Sequence, residues 1–203
     1  GVDAVYGNNI SVSPIFVGYA DAEARGNYTV TVMNNGHSQV IDTYAVGSVA
    51  SINTTVLDDE LFNTFADTVL TVIVTYNGDE LYVPGNYTTT VNVYRNAPVV
   101  TIANVSATYA DTFDVVAVLS NYVDSVNGTV VLTINGNNYE TVRDGDNFTH
   151  TFTLAEIDAL LSGEGVTTLS VSAVYSGDKF NAVASGIGNV TYYRAEVPAM
   201  TIT

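Results

Sequence analysis

The 203-residue chain carries 21 acidic side chains against 5 basic ones, for a formal net charge of −16, and it has no Cys and no Trp. That balance excludes nucleic acid, whose binding starts with Lys and Arg neutralising phosphates, and it disfavours anionic membrane surfaces on the same ground. A hydrophobic content of 47% rules out an acidic disordered tail, and the absence of Cys removes disulfides, thiol nucleophiles and Cys-ligated metals together.

In chain order, alternation of apolar and polar residues first shows in Tyr28-Thr-Val-Thr-Val32, followed by the turn dipeptide Asn35-Gly36. Thr55-Val-Leu-Asp58, with Leu61, Phe62 and Phe65 after it, reads as a short capped helical insert. Val69–Tyr76 is a second alternating run, ending in Tyr76-Asn-Gly-Asp79, and Val91–Arg95 is a third. After Pro98 the pattern repeats, with runs at roughly 98–107, 112–119, 128–135, 138–143, 147–153, 166–175 and 187–194. Asn135-Gly136 and Asp144-Gly145 read as turns between them. Thr153-Leu-Ala-Glu156 is a capping box leading into Ile157, Leu160 and Leu161, with Gly163 and Gly165 to end the helix.

Six landmarks recur in one order. Tyr76, Gly78 and Asp79 return as Tyr175, Gly177 and Asp178, and Val91–Arg95 returns as Val190–Arg194. Pro98-Val-Val-Thr-Ile102 returns as Pro198-Ala-Met-Thr-Ile202, and Gly26–Gly36 as Gly128–Gly136. Tyr19-Ala-Asp21 and the helical insert return as well. The chain therefore reads as two repeats, 1–97 and 98–197, with 198–203 as the start of a third. About seven short strands per repeat of about 100 residues predict an all-β chain of two tandem immunoglobulin-like sandwiches, each with a short helical crossover. The first repeat should lack part of its opening strand. The tail 198–203 should pair along the last strand of the second repeat or fill an edge in a neighbouring molecule. Arg95-Asn96-Ala97-Pro98 is too short for a flexible tether, so an extended rod is expected.

Gly128–Gly136, followed by Leu169–Asp178, resembles the bacterial immunoglobulin-like repeat, with Gly26–Gly36 and Leu70–Asp79 as weaker counterparts. Such repeats build long surface proteins, including the adhesin-like proteins of methanogenic archaea. The resemblance spans essentially the whole chain and implies an extracellular, cell-surface module serving as stalk or adhesion unit. Its partner would be a protein or glycan on another cell. Two departures stand out: the helical insert replaces a short Gly-rich turn, and Asn77 stands where the second repeat has Ser176.

Candidate chemistry is sparse. Asn-x-Ser/Thr sequons occur at Asn9, Asn27, Asn53, Asn86, Asn104, Asn127, Asn147 and Asn189, where 20 Asn and 39 Ser or Thr would give about four by chance. The excess points to a glycosylated surface, although Asn and Thr are also common in outward strand positions. Asp144-Gly145-Asp146 with Asn147 offers three or four oxygens to calcium, which takes about six to eight, but the same residues spell a hairpin turn. No other cofactor is expected, and zinc has no ligand set, because His37 and His150 fall in different repeats. Of the 14 Tyr, those recurring between repeats (Tyr76/Tyr175, Tyr94/Tyr193, Tyr6/Tyr109, Tyr19/Tyr122) suit the core. Tyr44, Tyr82, Tyr87, Tyr139 and Tyr192 do not pair and are the candidates for contacts.

The sequence reads as non-catalytic. It has no recurring His-and-acid arrangement and no Gly-x-Ser-x-Gly elbow. An internal Lys–Asn cross-link would need Lys179, the only Lys, and a Thr–Gln ester would need Gln39, the only Gln. No apolar run spans a bilayer, and Gly1 reads as a mature or excised start. Two functions fit: a spacer in a repetitive surface stalk, or an adhesive, glycan-recognising module. A spacer should have two similar surfaces. An adhesin should have one repeat bearing an apolar patch that its neighbour lacks.

Overall fold

Runs in which Val, Leu or Tyr alternate with Thr become strands, because successive side chains on a strand point to opposite faces and branched or flat ones pack well there. A computed structural model describes residues 2–17, 25–108, 111–123, 126–161 and 165–194. The described residues are all-β apart from one short helix and two 3-10 turns, and the chain divides into two units, Gly1–Asn96 and Ala97–Thr203.

The first unit holds β1 (Val2–Val5), β2 (Asn9–Val12), β3 (Asn27–Asn34), β4 (His37–Ala45), β5 (Ala50–Asn53), β6 (Thr68–Tyr76) and β7 (Gly85–Tyr94). One sheet has the order β1-β7-β6-β3-β4, and β2 pairs with β5 in a second sheet of two strands. The second unit holds β8 (Val99–Ile102), β9 (Val105–Thr108), β10 (Phe113–Ser120), β11 (Val130–Ile134), β12 (Asn137–Glu140), β13 (Val142–Asp144), β14 (Asn147–Phe152), α1 (Leu154–Leu160), β15 (Gly165–Tyr175) and β16 (Ala184–Arg194). Its sheets are β12-β11-β15-β16-β9 and β13-β14-β10-β8. Taken as A, B, E and D in one layer and A′, G, F, C and C′ in the other, this is the strand order of an immunoglobulin-like sandwich.

The interiors correspond strand by strand. Val30 and Val32 of β3 match Leu132 and Ile134 of β11, and Val72 and Val74 of β6 match Val171 and Ala173 of β15; all eight are buried. Asn35 and Gly36 both have positive φ, as do Asn135 and Gly136, which gives the two-residue turn that matches strand twist.

Several expectations are refined. The run 98–107 is two strands, because the chain leaves one sheet at Ile102 and joins the other at Val105, where β9 runs parallel to β16. The run 138–143 likewise breaks at Thr141, whose hydroxyl donates to the Val130 carbonyl at 2.7 Å, and its halves β12 and β13 lie in different sheets. In the acidic turn Asp144 is still a strand residue paired with Asn147. Gly145 and Asp146 make the bend, and of these Gly145 has the positive φ. The helical crossover is α-helical in the second unit alone. There Thr153 and Glu156 close a reciprocal capping box, with Ile157 and Leu160 buried. The first unit has two 3-10 turns, Thr54–Val56 and Asp59–Leu61. Asn53, not Thr55, caps the first, and the Asp58 side chain makes no capping bond.

This asymmetry is measurable. Thr153→Ala removes the hydroxyl half of the box, leaving its N–H to the Glu156 carboxylate, and should cost about 1 kcal/mol in urea unfolding of the second unit. Asp58→Ala should stay within about 0.5 kcal/mol of the parent. Equal losses would refute the assigned caps.

Candidate functional site

The Tyr-x-Gly-Asp motif builds the same corner in both units, at the end of β6 and of β15. Asp79 N–H donates to the Tyr82 carbonyl and Asp178 N–H to the Asn181 carbonyl, each at 2.9 Å. In the first unit Asp79 Oδ1 accepts from the N–H groups of Leu81 and Tyr82 at 2.7 and 2.8 Å. In the second unit the corner is buried and tied further. Asp178, 4% exposed, accepts from the Tyr175 hydroxyl at 2.6 Å and from the N–H groups of Phe180, Asn181 and Asn127. Burial alone would oppose its charge, but these donors outweigh it and hold the Asp178 carboxyl below its usual value. Burial and the same bond push the Tyr175 phenol up. Asn181 completes the network by exchanging bonds with the Val123 N–H and carbonyl at 2.9 and 3.0 Å. The sequence reading missed Asn181. Its signal is an amide three residues after an acid in a Gly turn, the spacing of a side chain that closes the turn onto itself. The motif is a structural lock rather than a reactive centre.

Of the calcium candidates, Asp146 is bonded within the chain and Asp144 is exposed. The Tyr122 hydroxyl donates to the Asp146 carboxylate, and Arg143 Nε donates to the Gly145 carbonyl at 2.9 Å. Asp144 is an exposed strand end. Among the described residues no three His, Asp or Glu side chains gather into a metal-sized group. His150 contacts the Glu140 carbonyl at 2.8 Å and Glu156 at 3.3 Å.

All eight sequon Asn residues are exposed. At Asn9, Asn27, Asn147 and Asn189 the middle residue of the triplet is buried in a strand (Ile10, Tyr28, Phe148, Val190). Strand alternation thus places the Asn and its Ser or Thr outward together.

The tyrosines divide differently from expectation. Tyr192 is 1% exposed and belongs to the core of the second unit, so it is no contact residue. In Val190-Thr-Tyr-Tyr193 the buried phase set by Val190 falls on Tyr192, which leaves Tyr193 outside. Tyr94 and Tyr193, expected inside, are exposed, whereas Tyr6, Tyr76 and Tyr175 are buried. Tyr44 is half-buried and stacks on Tyr28 at 5.6 Å. Tyr139 is half-buried against Phe152 and His150. Tyr19, Tyr109 and the tail 198–203 lie outside the described residues.

Tyr82 and Tyr87 meet at a second place where the units differ. Pro14–Val17 continue beyond β2 with alternate residues turned inward. Phe16 lies 5.4 Å from Tyr76, ring centre to ring centre, while Ile15 and Val17 are 88% and 92% exposed. They and the β7 residues Gly85–Tyr87, with Tyr82 and Val83, line a mostly apolar groove of about 710 Å³. The matching position in the second unit is occupied by β8, which pairs with Ala117–Ser120 of β10. It lies so close to β16 that a Cβ on Gly186 would sit 2.3 Å from the Val100 carbonyl oxygen, and one on Gly188 2.7 Å from Ile102.

No protein-family model and no curated protein sequence matches the chain. Among solved structures it is similar to the titin domains Z1Z2 in complex with telethonin, at 11% identity and a TM-score of 0.34, over 96% of this chain and 93% of that one. It is also similar to Drosophila N-cadherin EC1-4, at 15% identity and a TM-score of 0.35, over 96% of this chain and 47% of that one. The PKD domain of human KIAA0319 matches at 13% identity and a TM-score of 0.32, over 53% of this chain and 90% of that domain. At this level of overlap the sandwich is defined by its own strand order.

The corner has a pH signature. Asp178 ionises more readily folded than unfolded, so its contribution is present above about pH 4, the unfolded carboxylate range. That contribution fades as pH falls through the lower folded value. Asp178→Asn should cost about 2 kcal/mol at pH 7, with the gap to the parent narrowing below about pH 4. A gap unchanged in acid would contradict the assigned ionic role.

Proposed function

We propose that the chain is a non-catalytic structural module of a repetitive extracellular surface protein, of the kind the bacterial immunoglobulin-like repeat builds in adhesin-like proteins. The observation that carries this reading is repetition of the interior without repetition of the surface. The same sandwich, the same Asn-Gly turns and the same Tyr-x-Gly-Asp corner occur twice, around cores whose matching positions are filled by matching residues. Load-bearing of that kind needs a buried core and locked corners in every unit, and it leaves outward residues free to vary.

The surface supports an exterior setting. Eight exposed sequon Asn residues stand ready for glycan attachment. About ten acids in each unit keep neighbouring molecules apart electrostatically. Among the described residues no helix is long and apolar enough to cross a membrane.

A contact role for the first unit is favoured by its apolar groove, at a place that β8 covers in the second unit. Its few polar lining groups suit an apolar segment better than a sugar, which needs convergent hydrogen-bonding groups.

Intact-mass analysis of the protein from its native cell tests the setting: glycan increments removable by Asn→Gln at the sequons are expected. Unmodified mass at all eight sites would remove the glycoprotein part of the proposal. Glycan-array and cell binding by the two-unit chain should stay at background. Saturable glycan binding would replace the structural reading with a carbohydrate-recognising one.

A further inference from the structure

Four of the eight sequons meet as two neighbouring pairs once the strands are formed. Asn9 and Asn53 are register partners between β2 and β5. The Thr54 N–H donates to the Asn8 carbonyl, so the next pair along, Asn9 with Asn53, is of the kind without mutual backbone bonds. In such pairs the Cα atoms stand about 4.5 Å apart. Asn104 and Asn189 each lie one residue ahead of the Val105–Val190 pair of β9 and β16. In both pairs one carboxamide is committed to the fold. Asn53 Oδ1 accepts from the Thr55 N–H at 2.9 Å and from the Thr55 hydroxyl at 2.8 Å, so the two groups that define this sequon are bonded to each other. Asn104 Oδ1 accepts from the Asn189 N–H at 3.0 Å and extends the β9–β16 ladder by one bond. The other two members face solvent. Asn9 and Asn189 are exposed, and the burial of Ile10 and Val190 beside them fixes their outward direction. On the same face of β16 as Asn189 are Thr191 and Ile187, the latter 75% exposed. Ser170 stands opposite Asn189, flanked by Ser172 and Thr168. That floor is short and uncharged, in a chain of net charge −16.

We propose that each pair carries one glycan, on Asn9 and on Asn189, while Asn53 and Asn104 stay unmodified as the structural partners. The inference rests on the glycoprotein reading above and adds to it which sites are used and why. The step consumes a sugar whose anomeric carbon bears a phosphate leaving group. The asparagine Nδ2 bonds to that carbon, the bond from the carbon to the phosphate oxygen breaks, and Nδ2 gives up one proton. An enzyme that reads Asn-x-Ser/Thr must reach the carboxamide and the hydroxyl together. At Asn189 both project from one open face, and the Thr191 hydroxyl meets that of Thr168 rather than the carboxamide. At Asn53 the two are closed on each other, and the Asn104 carboxamide is held against β16. The spacing within each pair leaves no room for two sugars side by side. A sugar on Asn189 lays its C–H face on Ile187, taking that apolar side chain out of water, and turns its hydroxyls to Ser170 and Ser172. The first unit has Thr88 and Thr90 where the second has Ile187 and Asn189. The exposed isoleucine and the sequon beside it therefore occur together.

Site-by-site glycopeptide mass spectrometry of the folded chain, purified from its native cell, reads this pattern directly. Sugar is expected on Asn9 and Asn189, and none on Asn53 or Asn104. Thr191→Ala should remove one glycan increment from the intact mass, whereas Ser106→Ala, which destroys the Asn104 sequon, should remove none. Asn104→Ala should likewise leave the glycan mass unchanged, but it should lower the melting temperature because the Asn189 N–H loses its acceptor. Ser106→Ala keeps that acceptor and should melt with the parent. The proposal is overturned if Asn53 or Asn104 carries sugar. It is overturned equally if Asn9 or Asn189 is bare while other sequons are occupied. In both cases the glycoprotein reading survives. Protein bare at all eight sites overturns the proposal and that reading together.

Discussion

The arrangement depends on how an opening strand is accommodated between the two sheets of a sandwich. In the second unit β8 takes up the free backbone groups of Ala117–Ser120 on one side and rests against β16 on the other, a contact so close that it requires Gly186 and Gly188. A strand edge without such a partner leaves N–H and C=O groups to water and invites pairing with another chain. In the first unit the matching outward residues Ile15 and Val17 are turned to solvent, beside an apolar groove lined by Tyr82 and Tyr87.

Much of this was legible in the sequence because it is local or periodic. The Asn-Gly turns demand positive φ at both residues, the Thr153–Glu156 box caps its own helix, and alternation with period two sets which Val and Thr face inward. The double occurrence of Tyr-x-Gly-Asp located the repeat. What was not legible depends on tertiary partners. Nothing in Ile102-Ala-Asn-Val105 announces that the chain changes sheets there, because either sheet satisfies the alternation. Tyr192 and Tyr193 are adjacent and chemically identical, and only the phase fixed by Val190 puts one in the core. Asn181 became visible once folding brought Val123 to it across 58 residues. The Asp58 side chain was expected to cap and does not, because Asn53 reaches the Thr55 N–H first.

The chemistry fits the non-catalytic structural module proposed above. The buried acid Asp178, its carboxyl held below the usual value, spends its charge on internal donors, and the acidic turn is closed by Tyr122 and Arg143. Interior bonds recur between units while outward residues differ. The scaffold repeats and the skin varies, as a spacer built from repeated units requires.

Amide hydrogen exchange, resolved residue by residue, tests most directly the claim that β8, seated against Gly186 and Gly188, closes the second unit. The account predicts protection near the global unfolding limit for Val118 and Leu119, which are bonded on both sides. It predicts that Gly186→Ala, whose Cβ would meet the Val100 carbonyl oxygen, lowers that protection. Unchanged protection in this variant would contradict it.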